Sequence, residues 1–159
     1  MEARHVIVHR EAGRYAGWPA NYGIWAWGNE IVVGFTQGTH DPSGGFHARD
    51  RTKPFVAMQA RSLDGGESWT VAPMPVRTPG NRGLSAGEHA VPDAAADDAL
   101  NAPEPCPGET ALDSPDFALL FGRSGLAGES WFYTSSDRCR SWQGPWRLPM
   151  MGRAGIAAR

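Results

Sequence analysis

The sequence predicts an all-β protein, and three observations support this fold class. The chain has 159 residues, enough for one ordinary domain with a sizeable core. It contains 20 Gly, 13 Pro and 7 Trp, a composition that favours short strands and tight turns over long helices. Runs of β-branched and aromatic residues are separated by Gly- and Pro-rich segments, as expected for a meander of antiparallel strands.

Four strands are predicted in the first half of the chain. Residues 23–27 and 30–36 are β-rich runs that meet at Gly28 and Asn29, which is a two-residue hairpin signal. Residues 55–61 alternate in polarity and predict a third strand. Residues 69–72 predict a short fourth strand that Pro73 ends. Together these strands form one antiparallel meander sheet.

The second half repeats the first from its second strand onward. Strand signals resume at residues 117–123, 130–135 and 142–148. Before them, residues 77–116 are rich in Pro, Ala, Asp and Glu and lack an apolar period. This composition predicts an exposed insertion, with residues 94–100 as its one candidate helix.

The charge balance and the termini restrict the class of protein. A net charge of -2, from 15 basic and 17 acidic residues, offers no field that would concentrate nucleic acid or an anionic membrane. We find no run long enough to span a membrane and no signal peptide, so a cytoplasmic location is the default, or a secreted one if the N-terminus is incomplete. Cys106 and Cys139 do not make a disulfide framework, although they leave one bridge open. Histidine spacing predicts no zinc site, and no cofactor is indicated.

One short pattern occurs twice, each time directly after a predicted strand. The copies read Ser62-Leu63-Asp64-Gly65-Gly66-Glu67-Ser68-Trp69 and Ser135-Ser136-Asp137-Arg138-Cys139-Arg140-Ser141-Trp142. In such a turn the Asp accepts hydrogen bonds from backbone N–H groups, a Gly takes positive φ and the Trp packs into the core. The pattern is therefore interpreted as a structural staple made by Ser62, Asp64, Gly66, Trp69, Ser135, Asp137 and Trp142.

Two alternatives to this interpretation remain open, namely a chance repeat of a turn in another all-β fold and a metal-binding role for the two aspartates. The second copy departs from the first at one place. Cys139 stands where the first copy has Gly66, which predicts a distorted second turn because a non-Gly residue disfavours positive φ.

Each copy resembles the Asp-box, or BNR repeat, of sialidases and related β-propellers, with the pattern Ser/Thr-x-Asp-x-Gly-x-Thr/Ser-Trp. The resemblance implies a partial six-bladed β-propeller of about two four-stranded antiparallel blades with a long loop insertion. Within one domain, blade one would cover residues 15–76, the insertion 77–116, blade two 117–148 and the start of the next blade 149–159. Two blades cannot close a ring, so their open edges predict self-association.

The resemblance also implies which end of the sheet carries the ligand site. Asp-boxes of the family lie on the face away from the active site. In a meander, the connection between the second and third strands lies at the end opposite the Asp-box, and so do residues 10–22 and 123–129. The loop 37–54 is the richest in charged side chains and exceeds the usual hairpin connection of about 2–5 residues. A solvated loop whose Arg and Asp pair with each other is the alternative.

Residue roles follow from the resemblance. The family protonates the leaving group with an Asp shortly before the first Asp-box, and Asp50 occupies that place. The family holds the substrate carboxylate with arginines, because the planar guanidinium group binds a carboxylate through two hydrogen bonds. The predicted substrate-binding residues are Arg14, Trp18, His47, Arg49 and Arg51. Trp18 is assigned to a sugar ring, with a core role as the alternative.

The chain departs from the family at one key position. The family's first arginine lies in an Arg-Ile-Pro motif, and Gly17 stands at its place, before Trp18 and Pro19. The resemblance implies a glycoside hydrolase of the exo-α-sialidase (neuraminidase) type that acts on a sialoside or related glycan when full length and is inactive as these 159 residues. The alternative, which Gly17 favours, is a non-catalytic carbohydrate-binding or interaction propeller.

Overall fold

The structure is a computed structural model that describes residues 4–76, 78–81, 99–108, 110, 112–123 and 130–148. These residues form antiparallel β-sheets with a single four-residue α-helix, so the predicted all-β class is confirmed. The chain divides into two compact units. One comprises Met1–Asp50 and Val56–Met74, and the other comprises Arg51–Phe55 and Pro75–Arg159.

The first sheet contains five strands: β1 (Arg14–Gly17), β2 (Ile24–Trp27), β3 (Glu30–Thr39), β4 (Val56–Ser62) and β5 (Thr70–Pro73). Strands β3, β4 and β5 follow one another in space, and β1 and β2 both pair with the other edge of β3. The two-residue hairpin is confirmed, since Trp27 lies opposite Glu30. All four strands predicted in this half of the chain are present within one or a few residues of their predicted bounds.

Segment 14–17 was expected to be part of a connection, and this expectation was wrong. It forms β1, in register with Thr36 to Thr39 of β3. Its residues carry no apolar alternation and therefore no strand signal. The strand exists because β3 continues to Thr39, beyond the predicted end at residue 36, and supplies a backbone partner.

A one-turn helix, α1 (Pro19–Tyr22), separates β1 from β2. The chain enters it through Trp18 at φ 55 and leaves it through Gly23 at φ 85. The Gly34 N–H then donates to the Gly23 carbonyl at 2.9 Å. A Cβ on Gly34 would lie 2.3 Å from the Tyr22 carbonyl oxygen, so only glycine lets α1 lie this close to β3.

The core of the first unit follows from alternation along β4, where Met58, Ala60 and Ser62 face inward and are buried. Phe35 joins Met58 and Ala60 in one cluster, against which Val8, Trp69 and Val71 pack. Burial of each large apolar side chain in such a cluster contributes roughly 1.5–3 kcal/mol. The tryptophan that ends the first repeat is thus part of the core.

The second sheet contains β6 (Ala118–Arg123), β7 (Ser130–Ser135) and β8 (Gln143–Arg147), in that spatial order. These strands match the prediction closely. Ala118, Leu120, Trp131 and Tyr133 are buried, and the Trp131 indole N–H donates to the Tyr133 hydroxyl at 3.1 Å. The described part of this sheet has the three predicted strands, one fewer than the four-stranded blade that the resemblance implies.

The predicted insertion 77–116 also differs from expectation, because part of it joins this sheet. Glu104 forms a parallel bridge with Trp146, and its N–H donates to the Pro145 carbonyl at 3.1 Å. The bridge itself joins backbone groups, which every residue type has, and the Arg147 guanidinium adds a bond to the Pro103 carbonyl at 3.0 Å. The polar side chains of the segment therefore gave no strand signal. Residues 94–98 of the candidate helix at 94–100, residues 124–129 of the segment 123–129 and the expected start of a next blade at 149–159 lie outside the described residues.

Cys106 and Cys139 are both free thiols, so the bridge left open above is not formed. In the part of the chain that the structure describes, no helix has the length and hydrophobicity needed to cross a bilayer.

Candidate functional site

The first sheet has two ends of different character. The β2–β3 hairpin and the β4–β5 connection lie at one end, since the Gly65 N–H donates to the Asn29 carbonyl at 2.8 Å. Residues 40–50, which follow β3, lie at the other end, because β3 and β4 are antiparallel. The charged loop and the first copy of the repeat therefore occupy opposite ends of the sheet.

The first copy, residues 62–69, is closed by a network that we call the first Ser-Asp turn. The buried Ser62 hydroxyl donates to Asp64 Oδ1 at 2.7 Å and accepts the Gly66 N–H at 2.8 Å. The Ser68 N–H and hydroxyl donate to the same carboxylate at 3.0 and 2.5 Å. The Trp69 indole N–H donates to the Gly66 carbonyl at 3.1 Å. The Ser68 and Ser62 bonds hold the pKa of Asp64 well below its usual range.

The second copy, residues 135–142, forms the same Ser and Asp hydrogen bonds and is the second Ser-Asp turn. The Ser135 hydroxyl donates to Asp137 Oδ1 at 2.8 Å and accepts the Cys139 N–H at 2.9 Å. The Ser141 N–H and hydroxyl donate to Asp137 at 2.9 and 2.5 Å. The expected distortion is not observed, because Cys139 adopts φ 62 and keeps the bond that Gly66 makes.

The loop at the opposite end is shaped by its own backbone bonds. His40 bridges to Arg49, the Asp41 N–H donates to the Ala48 carbonyl at 3.0 Å, and the Asp50 N–H donates to the Thr39 carbonyl at 3.0 Å. A Cβ on Gly44 would lie 2.3 Å from the Arg49 carbonyl oxygen, so the loop closes tightly there. These bonds place residues 47–50 beside the end of β3.

Four side chains converge at this end, and we call them the aromatic-guanidinium cluster: Tyr15, Trp18, His47 and Arg49. The Arg49 Cζ lies 4.4 Å from the centroid of the Trp18 ring, within cation–π range. The Tyr15 and His47 rings lie 5.2 and 5.1 Å from the Trp18 ring. Arg49 is only 7% exposed, so its charge acts in a partly desolvated place.

The backbone at the centre of the cluster is strained. Trp18 adopts φ 55, a left-handed conformation that a bulky non-Gly residue rarely takes. Such strain typically costs about 1–3 kcal/mol and is concentrated at functional sites in proteins. Burial raises the pKa of Tyr15, and the nearby Arg49 charge lowers it by a smaller amount. The net pKa is raised, so the phenol stays neutral.

The structure brings three predicted site residues together and places another, Arg14, on the other face of β1. Trp18, His47 and Arg49 converge, and Asp50 is fixed next to Arg49 by its bond to Thr39. Arg14 precedes Tyr15 in β1 and so projects from the opposite face, where its Nε lies 4.0 Å from Glu11 Oε1. Arg51 is exposed and belongs to the other compact unit.

Tyr15 and Phe46 were not predicted as site residues. Tyr15 could have been found only by recognising β1, whose alternation places it two residues from Gly17 on one face. Phe46 has a weak signal in the sequence, an aromatic residue after two glycines at the centre of a charged loop. Among the described residues, no three His, Cys, Asp or Glu side chains converge as metal ligands.

Comparison of the chain with protein-family models, with curated proteins and with solved structures finds no match.

Proposed function

We propose that this chain is part of a sialidase-type β-propeller, that the aromatic-guanidinium cluster binds a terminal anionic sugar such as a sialoside, and that the complete protein hydrolyses it. The observation that carries the proposal is the position of this cluster at the sheet end opposite the first Ser-Asp turn. The two Ser-Asp turns support it, since both have the hydrogen bonds that an Asp-box requires.

The cluster offers the chemistry that such a sugar needs. A pyranose ring has an apolar C–H face that packs on an indole, and Trp18 is the aromatic residue at the centre of the cluster. The Arg49 charge favours an anionic ligand over a neutral one. Asp50, one residue further along, is the proposed general acid that protonates the leaving oxygen. Tyr15 contributes an aromatic ring whose centroid lies 5.2 Å from that of Trp18.

A second candidate function is non-catalytic binding of the same class of sugar. Gly17 stands where the resemblance calls for a carboxylate-binding arginine, and the Tyr15 ring covers this position. A Cβ on Gly17 would lie 2.1 Å from the Tyr15 hydroxyl oxygen, so a side chain fits there only if the ring moves. A site without that arginine can still stack a sugar on Trp18. It binds the substrate carboxylate less tightly, and hydrolysis requires that carboxylate to be held.

Sugar binding is tested directly on the 159-residue chain by ligand-observed NMR with methyl α-sialoside. We expect Trp18→Ala to weaken binding about tenfold, because it removes the stacking surface. Trp27→Ala is the matched control, since it removes the same side chain from the other end of the first sheet. Equal affinity of the wild-type and Trp18→Ala chains would refute the proposed binding site.

Hydrolysis is tested with a methylumbelliferyl sialoside and the longest natural protein that contains this sequence. We expect Asp50→Ala to lower turnover at least about 100-fold, as for loss of a general acid, with binding retained. Asp41→Ala is the control, because Asp41 is an acid in the same loop that is bonded locally to Ser43. Unchanged turnover in Asp50→Ala would exclude Asp50 as the acid. Binding without turnover in the wild type would establish the non-catalytic function.

A further inference from the structure

The tip of the loop presents one aromatic side chain to solvent. Phe46 is 100% exposed, the highest value among the exposed large apolar residues that the structure describes. A single exposed apolar residue is common on protein surfaces and carries no meaning by itself. The position of Phe46 relative to the aromatic-guanidinium cluster is what distinguishes it.

Phe46 continues a row of rings that begins inside the cluster. Its ring centroid lies 5.0 Å from that of His47 with an interplanar angle of 77°, and His47 lies 5.1 Å from Trp18. The row therefore runs from the partly buried indole and the Arg49 guanidinium outward to a fully exposed ring. Phe46 is thus the outermost ring of this row, and His47 lies between it and Trp18.

Backbone bonds fix the presentation of Phe46. The residue is at the centre of a 3₁₀ turn, Gly45–His47, in which the Ala48 N–H donates to the Gly45 carbonyl at 2.9 Å. The Gly44 N–H donates to the Asp41 carbonyl at 3.0 Å, and Ala48 takes a left-handed φ of 46. Hydrogen bonds and a strained backbone thus hold Phe46 in a geometry that leaves its ring exposed to solvent. A platform organised before binding loses less entropy when a ligand docks.

We propose that Phe46 forms a second sugar subsite, which stacks on the pyranose ring next to the terminal anionic sugar. This inference rests on the proposed function and names its substrate class as an oligosaccharide. Two features of the row match such a ligand. The guanidinium at the inner end fits one carboxylate, and the outer ring carries no charge and fits the apolar C–H face of a neutral sugar.

The test compares two ligands of the 159-residue chain, methyl α-sialoside and the trisaccharide sialyllactose. We expect the wild type to bind sialyllactose about fivefold more tightly, because only this ligand reaches Phe46. Phe46→Ala should remove this preference and leave the affinity for methyl α-sialoside unchanged. Phe46→Trp, which keeps an aromatic face, should retain it.

Leu63→Ala is the matched control, since Leu63 is also exposed but lies in the β4–β5 connection at the other end of the sheet. It should not change either affinity. The inference is overturned if Phe46→Ala keeps the preference for sialyllactose, if it weakens both ligands equally, or if the wild type binds both alike. Absence of binding of either ligand to the wild type would instead refute the proposed function, and the second subsite with it.

Discussion

The two Ser-Asp turns share the hydrogen bonds of their Ser and Asp side chains but differ in the residues between them. In both, a Ser hydroxyl accepts the N–H four residues on, and an Asp accepts the N–H and hydroxyl of a second Ser. In the first turn Gly65 and Gly66 take φ 73 and 94, whereas in the second Arg138 and Cys139 take φ 58 and 62. The left-handed pair is thus kept although both glycines are replaced.

The second turn has an additional side-chain contact at the position where Arg138 replaces a glycine. The Gly65 N–H donates to the Asn29 carbonyl, and correspondingly the Arg138 N–H donates to the Asp116 carbonyl at 3.1 Å. Arg138 adds a side-chain bond, from its Nε to Asp116 Oδ1 at 2.6 Å. This ion pair is partly exposed and contributes modestly, on the order of 0.2–1 kcal/mol. The difference between the turns shows that the Ser and Asp side chains define the motif and that glycine only lowers its strain.

The largest effect is expected from removing the hydroxyl that both turns share. Ser62→Ala and Ser135→Ala each leave a buried N–H, of Gly66 or Cys139, without its acceptor, so each should lower the free energy of unfolding by about 2 kcal/mol. Urea unfolding measures the change. Ser136→Ala is the control, because Ser136 is exposed in the same turn. If one of the two variants loses less unfolding free energy than Ser136→Ala, the serine hydroxyl of that copy does not stabilise its turn, and the two turns are not equivalent.

A smaller effect should distinguish the two turns at the left-handed position. Gly66→Ala places a side chain at φ 94, where its Cβ would meet Trp69 only at an ordinary 3.6 Å. The cost is therefore backbone strain, about 1–2 kcal/mol. Gly108→Ala is the control, since a Cβ there meets nothing within 4 Å.

The reverse substitution completes the comparison. Cys139→Gly relieves the strain at φ 62 but removes a fully buried thiol, so we expect the two effects to offset each other to within about 1 kcal/mol. A large loss of stability in Cys139→Gly, with none in Gly66→Ala, would show that packing of the Cys139 side chain, and not backbone strain, determines stability at this position.

Much of the sheet structure could be predicted because its signals are local. Gly28 and Asn29 specify a hairpin, and alternation along residues 56–62 specifies a buried face, whatever the rest of the chain does. The Ser-Asp turns were predictable for the same reason, since the bonds of their Ser and Asp side chains join residues within four positions of each other.

The unpredicted parts depend on partners distant in sequence. Strand β1 exists because β3 extends to meet it, and Glu104 pairs with β8 through backbone groups that every residue type has. In the candidate site, the sequence indicated Trp18, His47 and Arg49 but not that Arg14 lies on the other face of β1, which only the register of that strand reveals. Composition cannot indicate which face a residue occupies when the strand itself is not recognised.

Acid should weaken both turns, and this is the smallest effect. Hydrogen bonds from Ser68 and Ser62 lower the pKa of Asp64 from its usual 3.8. For Asp137, burial raises the pKa, but bonds from Ser141 and Ser135 outweigh it and the net pKa is lowered. A carboxyl whose pKa is lower in the folded state adds stability above the unfolded pKa, and this stability is lost as the pH falls through the folded pKa.

We therefore expect the free energy of unfolding, measured in urea, to fall as the pH is lowered from about 6 to about 3. Asp64→Asn should flatten this dependence more than Asp137→Asn does, because burial of Asp137 opposes the lowering of its pKa. The asparagine variants keep the side-chain volume but cannot titrate in this range. An unchanged acid dependence in Asp64→Asn would show that the exposed carboxylate bonds add no net stability, and that the buried Ser62 hydroxyl alone holds the first turn.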